Sequence, residues 1–211
     1  MDSFRRQNIN NLIFMSTKFI GGEVLDIGGT NNTKNILKSI LLNKTNIKIL
    51  NKNKKNKPDI LADFDKYNYF KKKYDTLLSF ELLEYLEFPK DFFNKAYKLL
   101  KPKGYLILSV PFLNPIHGDK LDNYRITKKK LIEIIKKEKF KIIKFQNVGS
   151  VGTVIHDVLR ASSGYASKSK NSKISIYLLF IFKWFFKLLD NLTLYQSEFI
   201  NSGYFIILRK K

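Results

Sequence analysis

Short apolar runs recur along this chain, separated by stretches whose apolar residues return with helical spacing. In "EVLDIGG", Val24, Leu25 and Ile27 form a run too short for a helix and bounded by glycines, which predicts a buried strand preceded by a helix over 3–19. A helix over 33–42 and a strand over 47–50 follow. A lysine-rich loop, "NKNKKNK", then leads to a strand over 59–62. The run "YDTLLSF" predicts a fourth strand over 74–80, and "ELLEYL" after it favours helix. Pro89 stands where a helix can begin, and that helix stops at "KPKG". "YLILSV" predicts a fifth strand over 105–110, ended by Pro111. Thr127 is a good N-cap for a helix reaching 138, and "FKIIKFQNV" predicts a sixth strand over 140–148. The rhythm then lapses until "GYFIILRK", a last strand over 203–210.

Strands alternating with helices at this spacing imply one domain, 1–211, built on a doubly wound α/β sheet. Six strands should run parallel. The last returns directly from the irregular interval and should enter antiparallel beside the fifth and sixth. Residues 150–202 read as a helical insertion covering the substrate side of the sheet.

In open α/β sheets a ligand lies at the carboxyl ends of the strands, nearest the loop after the first strand. Here that loop is "DIGGTNNT": Gly28 and Gly29 are present, but Thr30 and Asn32 stand where a dinucleotide loop continues with glycine. A pyrophosphate needs those later glycines to approach a helix N-terminus. A cofactor without phosphates does not, and Asp26 can accept from its ammonium group.

Composition narrows the chemistry. There is no cysteine, so disulfides and cysteine-based zinc sites are excluded. His117 and His156 are the only histidines and no tight cluster of acids surrounds them, so no metal is expected. The formal net charge of +21 invites a nucleic-acid reading. Yet the excess is lysine spread over the whole chain among many asparagines and isoleucines, the bias of an AT-rich coding sequence, and nucleic acid is not the expected partner. Residues 1–20 lack the uninterrupted apolar core and cleavage site of a secretion signal, so a cytoplasmic location is expected. The apolar stretch 174–189 is shorter than a membrane span and carries Lys183 and Lys187. It places Phe180, Trp184, Phe185 and Leu188 near one stripe and the lysines on another face. Such a helix suits the inner face of an anionic membrane, the core of the protein, or a dimer contact. The oligomeric state is not legible.

Taken together, "VLDIGG", "IKILN", "DILADFD", "KYDTLLSFELLEYLEFP", "LLKPKGYLILSVPF" and "DNYRITKKKLIEIIKKEKFKIIKFQNVG" resemble, in order and spacing, a class I S-adenosylmethionine-dependent methyltransferase with its Rossmann-like sheet. The likeness is to small bacterial enzymes found with surface-glycan and lipid-linked sugar genes, and it covers 4–150 and 203 onward. It implies that Asp26, Gly28, Gly29 and Thr30 hold the methionine end of S-adenosylmethionine. Asn51, or Asn53 if the register slips, stands in place of the acid that binds the ribose hydroxyls, where an amide binds more weakly. Asp63 and Phe64 are implied at the adenine, and Phe80 and Glu81 near the sulfonium. Tyr85 stands where many relatives have histidine. His117, directly after the fifth strand, is the candidate base for an acceptor hydroxyl. Tyr124 and Arg125 are candidate substrate-binding residues, although Arg125 can equally pin its own loop. His156 reads as structural. The expected activity is O-methylation of a glycan, nucleotide sugar or lipid-linked intermediate. A nucleic-acid methyltransferase, which lacks support from an "NPPY"-type motif after the fourth strand, and a non-catalytic binding protein on the same fold are the rivals.

Overall fold

The computed structural model describes residues 3–41, 45–68, 71–116, 122–162, 179 and 181–211. Seven strands form a single sheet: β1 (Glu23–Ile27), β2 (Asn46–Asn51), β3 (Ile60–Leu61), β4 (Tyr74–Phe80), β5 (Leu100–Pro111), β6 (Phe140–Val148) and β7 (Gly203–Lys210). Their spatial order is β3-β2-β1-β4-β5-β7-β6. The pairs from β3 through β5 are parallel, with Val24 opposite Ile47 on one side and Thr76 on the other. β7 lies antiparallel between β5 and β6, as expected from the way the chain returns to the sheet.

Alternation along the strands feeds two apolar layers. Leu25, Ile27, Leu77 and Leu106 face α3 (Pro89–Leu99) and α4 (Lys128–Lys137), where Phe92, Phe93, Leu131 and Ile135 meet them. Val24, Ile47, Leu78 and Ile207 face the other way, toward Ile9, Leu12 and Ile13 of α1 (Phe4–Met15) and Leu37 of α2 (Asn31–Ile40). Both faces of the central strands are therefore buried, which explains their uninterrupted apolar runs.

Local chemistry sets the helix ends. The Ser3 hydroxyl accepts from the Arg6 amide at the start of α1, Thr30 caps α2, and Thr127 caps α4 as its position predicted. Pro89 does open α3. The expected helix over 3–19 divides at Ser16, whose hydroxyl donates back to the Leu12 carbonyl at 2.7 Å, and a 3-10 turn follows. "ELLEYL" yields only a 3-10 turn, Leu83–Tyr85, because Phe88 before Pro89 must leave the helical region. β5 begins earlier than expected, at Leu100, where Tyr74 pairs with it before the register shifts.

The described part of the insertion includes α5 (Val151–Ser162), α6 (Lys183–Leu192) and a 3-10 turn, Leu194–Glu198. The two helices approach so closely that a Cβ on Gly152 would lie 2.8 Å from the Asp190 amide nitrogen. Asp190 of α6 caps α5 from the side, accepting from the amides of Ser150 and Thr153 at 3.0 and 2.8 Å and from both their hydroxyls. Of the stretch 174–189, residues 174–178 and 180 lie outside the described residues, Phe180 among them. No described helix is long and apolar enough to cross a membrane.

Asp190→Ala should leave the amides of Ser150 and Thr153 and the Thr153 hydroxyl without their acceptor, while the Ser150 hydroxyl keeps the Asp190 carbonyl, and should destabilise the protein by about 1–3 kcal/mol. Urea unfolding monitored by circular dichroism would show the loss as a lower midpoint with the slope retained.

Candidate active site

β1 delivers the chain into a tight turn over its own side chain. Gly28 adopts φ +81, a conformation that favours glycine, and its amide donates to the Leu50 carbonyl at 2.8 Å. Gly29 lies directly on the Asp26 carboxylate, and any side chain there would overlap it. Asp26 is 1% exposed and its Oδ2 has no hydrogen-bond partner. Burial pushes its pKa up to about 7. An orphaned buried acceptor beneath a glycine crossing is the arrangement that a small cationic group would complete, so this loop fits the amino-acid end of S-adenosylmethionine.

Asn51, at the end of β2, is tied into the same turn. Its Nδ2 donates to the carbonyls of Gly28 and Gly29 at 3.1 and 2.9 Å, and its Oδ1 accepts from the Asn53 amide at 2.8 Å. The amide is thus engaged at both ends with backbone, and it holds the glycine loop in place. Thr30 is also engaged locally, accepting from the Thr33 amide at 3.3 Å.

The other expected cofactor residues lie at neighbouring strand ends. Asp63, half-buried, accepts from the Asp65 amide at 3.1 Å. The Phe64 ring is 4% exposed and packs on Phe92 at 5.4 Å, so it belongs to the core. Phe80 stacks on Phe205. Glu81 takes φ +56 just beyond β4, accepts from the Ser109 hydroxyl at 2.6 Å and pairs with the Arg5 guanidinium.

His117 lies outside the described residues. The chain returning from there is fastened at several points. Tyr124, partly exposed, donates its hydroxyl to the Glu87 carbonyl at 3.1 Å, and the Asn123 amide donates to the Glu84 carbonyl at 2.9 Å. Arg125 holds Asp122 through both terminal nitrogens, at 2.5 and 2.9 Å, and donates to the carbonyls of Asn114, Pro115 and Tyr124. These contacts pin Arg125 to its own loop, one of the two roles open to it. His156 is stacked on Phe4 at 4.2 Å, meets Phe186 edge-on, and has Nδ1 3.0 Å from Asp157, in keeping with a structural role.

Two charged residues escape a reading by motif. Arg5, 5% exposed, reaches from α1 to the carboxyl end of the sheet, where it donates to the Ser202 carbonyl at 3.1 Å and pairs with Glu81. Burial lowers its pKa to about 10. A signal exists in the spacing: Arg5, Ile9, Leu12 and Ile13 share one helical stripe, so a charge stands in an apolar row. Glu84 is fully buried, and neither carboxylate oxygen has a hydrogen-bond partner. Burial raises its pKa to about 7, against the pull of Arg5 and Arg125. Among the described residues no group of three or more acids and histidines could hold a metal ion.

The methyltransferase-domain family matches residues 1–135, from α1 into α4. No curated protein sequence matches the chain. Among solved structures, the chain is similar to a cyclopropane synthase from Mycobacterium tuberculosis, with 17% identity, a TM-score of 0.63, and 96% of this chain and 83% of that one covered. It is also similar to an O-methyltransferase from a trans-AT PKS multienzyme of Brevibacillus brevis, crystallised with S-adenosyl-L-homocysteine (14% identity, TM-score 0.63, covering 95% and 71%). An S-adenosylmethionine-dependent methyltransferase from Mesorhizobium loti gives 13% identity and a TM-score of 0.59, covering 94% and 96%. At such identities the structural likeness establishes the fold, and the activity rests on the family match. The chain belongs to the methyltransferase-domain family and is an S-adenosylmethionine-dependent methyltransferase.

Proposed function

We propose that this enzyme methylates a hydroxyl oxygen of a glycan, nucleotide sugar or lipid-linked intermediate on the cytoplasmic side of the cell. The observation carrying the cofactor half of this reading is the orphaned Oδ2 of Asp26 beneath Gly29. The acceptor half is supported by the paired stretches "LKPKGYLILSVPF" and "DNYRIT" and their resemblance to enzymes of surface-glycan synthesis.

Asp26, Gly28 and Gly29 would receive the methionine end, with Asn51 holding the loop and Thr30 starting α2 behind it. Asp63 would serve the adenine end, and Glu81 and Phe80 would border the sulfonium. The chemistry that S-adenosylmethionine supplies when bound is a methyl group already activated by positive sulfur. The protein must then align a nucleophile in line with that methyl and exclude water. A sugar hydroxyl must also lose its proton, and His117, following β5, is assigned that proton. A second reading gives the proton to Glu84, because it is a buried carboxyl with both oxygens unpartnered and a pKa raised to about 7.

Transfer of labelled methyl to nucleotide sugars and lipid-linked sugars, with the product located by mass spectrometry and NMR, tests the proposal. A methyl on oxygen supports it; a methyl appearing only on nitrogen, or on nucleic acid, overturns it. With a verified acceptor, His117→Ala should slow turnover by about a hundredfold or more while cofactor affinity holds. Full activity in that variant, with the loss appearing in Glu84→Gln, would transfer the role to Glu84.

Sequence alone argues that Asp at position 51 would strengthen ribose binding. The hydrogen bonds of Asn51 reverse the expectation, because Asn51→Asp would set a carboxylate against the carbonyls of Gly28 and Gly29. Affinity for S-adenosylhomocysteine in calorimetry should fall by roughly tenfold, the scale of one or two lost hydrogen bonds. Tighter binding would show that the side chain turns to the ribose.

A further inference from the structure

The α5–α6 pair is turned inside out for a surface hairpin. Its inner face is largely polar: Gly152, Thr153, His156 and Asp157 of α5 are buried, and α6 adds Asp190 beside one buried aromatic, Phe186. Its outer face is apolar. Ile155, Val158 and Leu159 of α5 are 39, 48 and 43% exposed, and Trp184, Phe185 and Leu188 of α6 are 64, 47 and 47% exposed. These side chains therefore do not serve as core, which was one of the three roles open to the stretch 174–189. Six exposed apolar side chains on two packed helices suit a contact surface.

Charge selects the occupant. Among the described residues of the two helices, Arg160, Lys183 and Lys187 are basic, while the two acids, Asp157 and Asp190, are turned inward. A second copy would oppose these basic residues with the same set, at an electrostatic cost. An anionic lipid surface would neutralise them while taking up the apolar side chains. The two lysines of α6 differ: Lys187 is exposed, whereas Lys183 is half-buried with its ammonium 5.8 Å over the Phe4 ring. Of these two, Lys187 is the one set to meet headgroups directly.

We propose that the outer face of α5 and α6 docks on an anionic lipid bilayer. The hairpin is joined to the carboxyl end of the sheet through α1, since Phe4 stacks on His156 while the adjacent Arg5 pairs with Glu81. Docking would hold the active site beside a lipid-linked acceptor; that consequence rests on the acceptor proposed above, whereas the docking surface does not.

Trp184 is the sole tryptophan of the chain and lies on the proposed face, so it reports contact directly and without any activity measurement. Purified full-length protein mixed with phosphatidylcholine vesicles containing phosphatidylglycerol should show blue-shifted emission and protection from acrylamide, and much less of either with phosphatidylcholine alone. Phe185→Ser with Leu188→Ser preserves both the net charge and the reporter, and should weaken vesicle affinity by about tenfold or more. Lys187→Glu should weaken binding to the anionic vesicles by at least roughly fivefold, the effect of one basic residue at such a surface. A folded double variant that binds as tightly as wild type would overturn the proposal by showing that basic surface elsewhere is responsible. Emission that shifts with protein concentration and ignores vesicles would overturn it in favour of a second copy. Because the readout is binding alone, either failure leaves the methyl-transfer reading separately testable.

Discussion

The Asp26 carboxylate is buried where the first strand ends, and the surrounding loop is shaped by that fact. Gly29 must lack a side chain because the carboxylate fills the space a Cβ would need. Gly28 must turn at positive φ to bring Gly29 there, and Asn51 holds both glycine carbonyls from the next strand. An acid so placed is costly to ionise, which is why its pKa rises to about 7. In the ligand-free protein it contributes stability below the unfolded carboxyl range, and that contribution is lost as pH rises through about 7. A cation delivered to the loop reverses the balance by favouring the charged form. The loop is thus least comfortable in the state from which it binds, a common arrangement where function is placed ahead of stability.

A second buried charged group, at the carboxyl end of the sheet, follows the same logic with more members. Arg5 is carried to the carboxyl end of the sheet on the apolar stripe of α1, where Glu81 pairs with it and Glu84 lies fully buried. Replacing one such partner leaves a buried charge uncompensated, so these residues act as a unit. They also join regions far apart in sequence: α1, the ends of β4 and β5 through Glu81 and Ser109, and the Ser202 carbonyl before β7. The fold closes around this group, which explains why α1 belongs to the sheet's architecture and is no mere N-terminal addition.

Much of the sheet is legible from the sequence because its central strands are buried on both faces and read as unbroken apolar runs between glycine, proline and lysine. The antiparallel entry of β7 follows from chain order alone. α5 is harder to see, since its buried face is Gly152, Thr153, His156 and Asp157 and its apolar residues point outward, so periodicity gives the wrong inside. In the site, Asp26 and the two glycines are legible because backbone geometry demands glycine next to that acid. Phe64 is misplaced by motif alone, because an aromatic beside a ligand loop and one filling the core under α3 look the same in one dimension. Arg5 shows itself only as a charge standing in the apolar row of α1, and Glu84, inside a stretch read for its strand and helix, is set apart only by its burial.

Calorimetry with S-adenosylhomocysteine across pH tests most directly whether Asp26 anchors the cofactor. If the ionised carboxylate receives the ammonium group, affinity should climb by up to about tenfold per pH unit on the acid side and level off once pH passes the Asp26 pKa of about 7. Asp26→Asn, folded by circular dichroism, should bind weakly and lose this pH dependence. An Asp26→Asn variant that keeps the affinity and the pH profile of wild type would show that a group other than Asp26 receives the cofactor's ammonium.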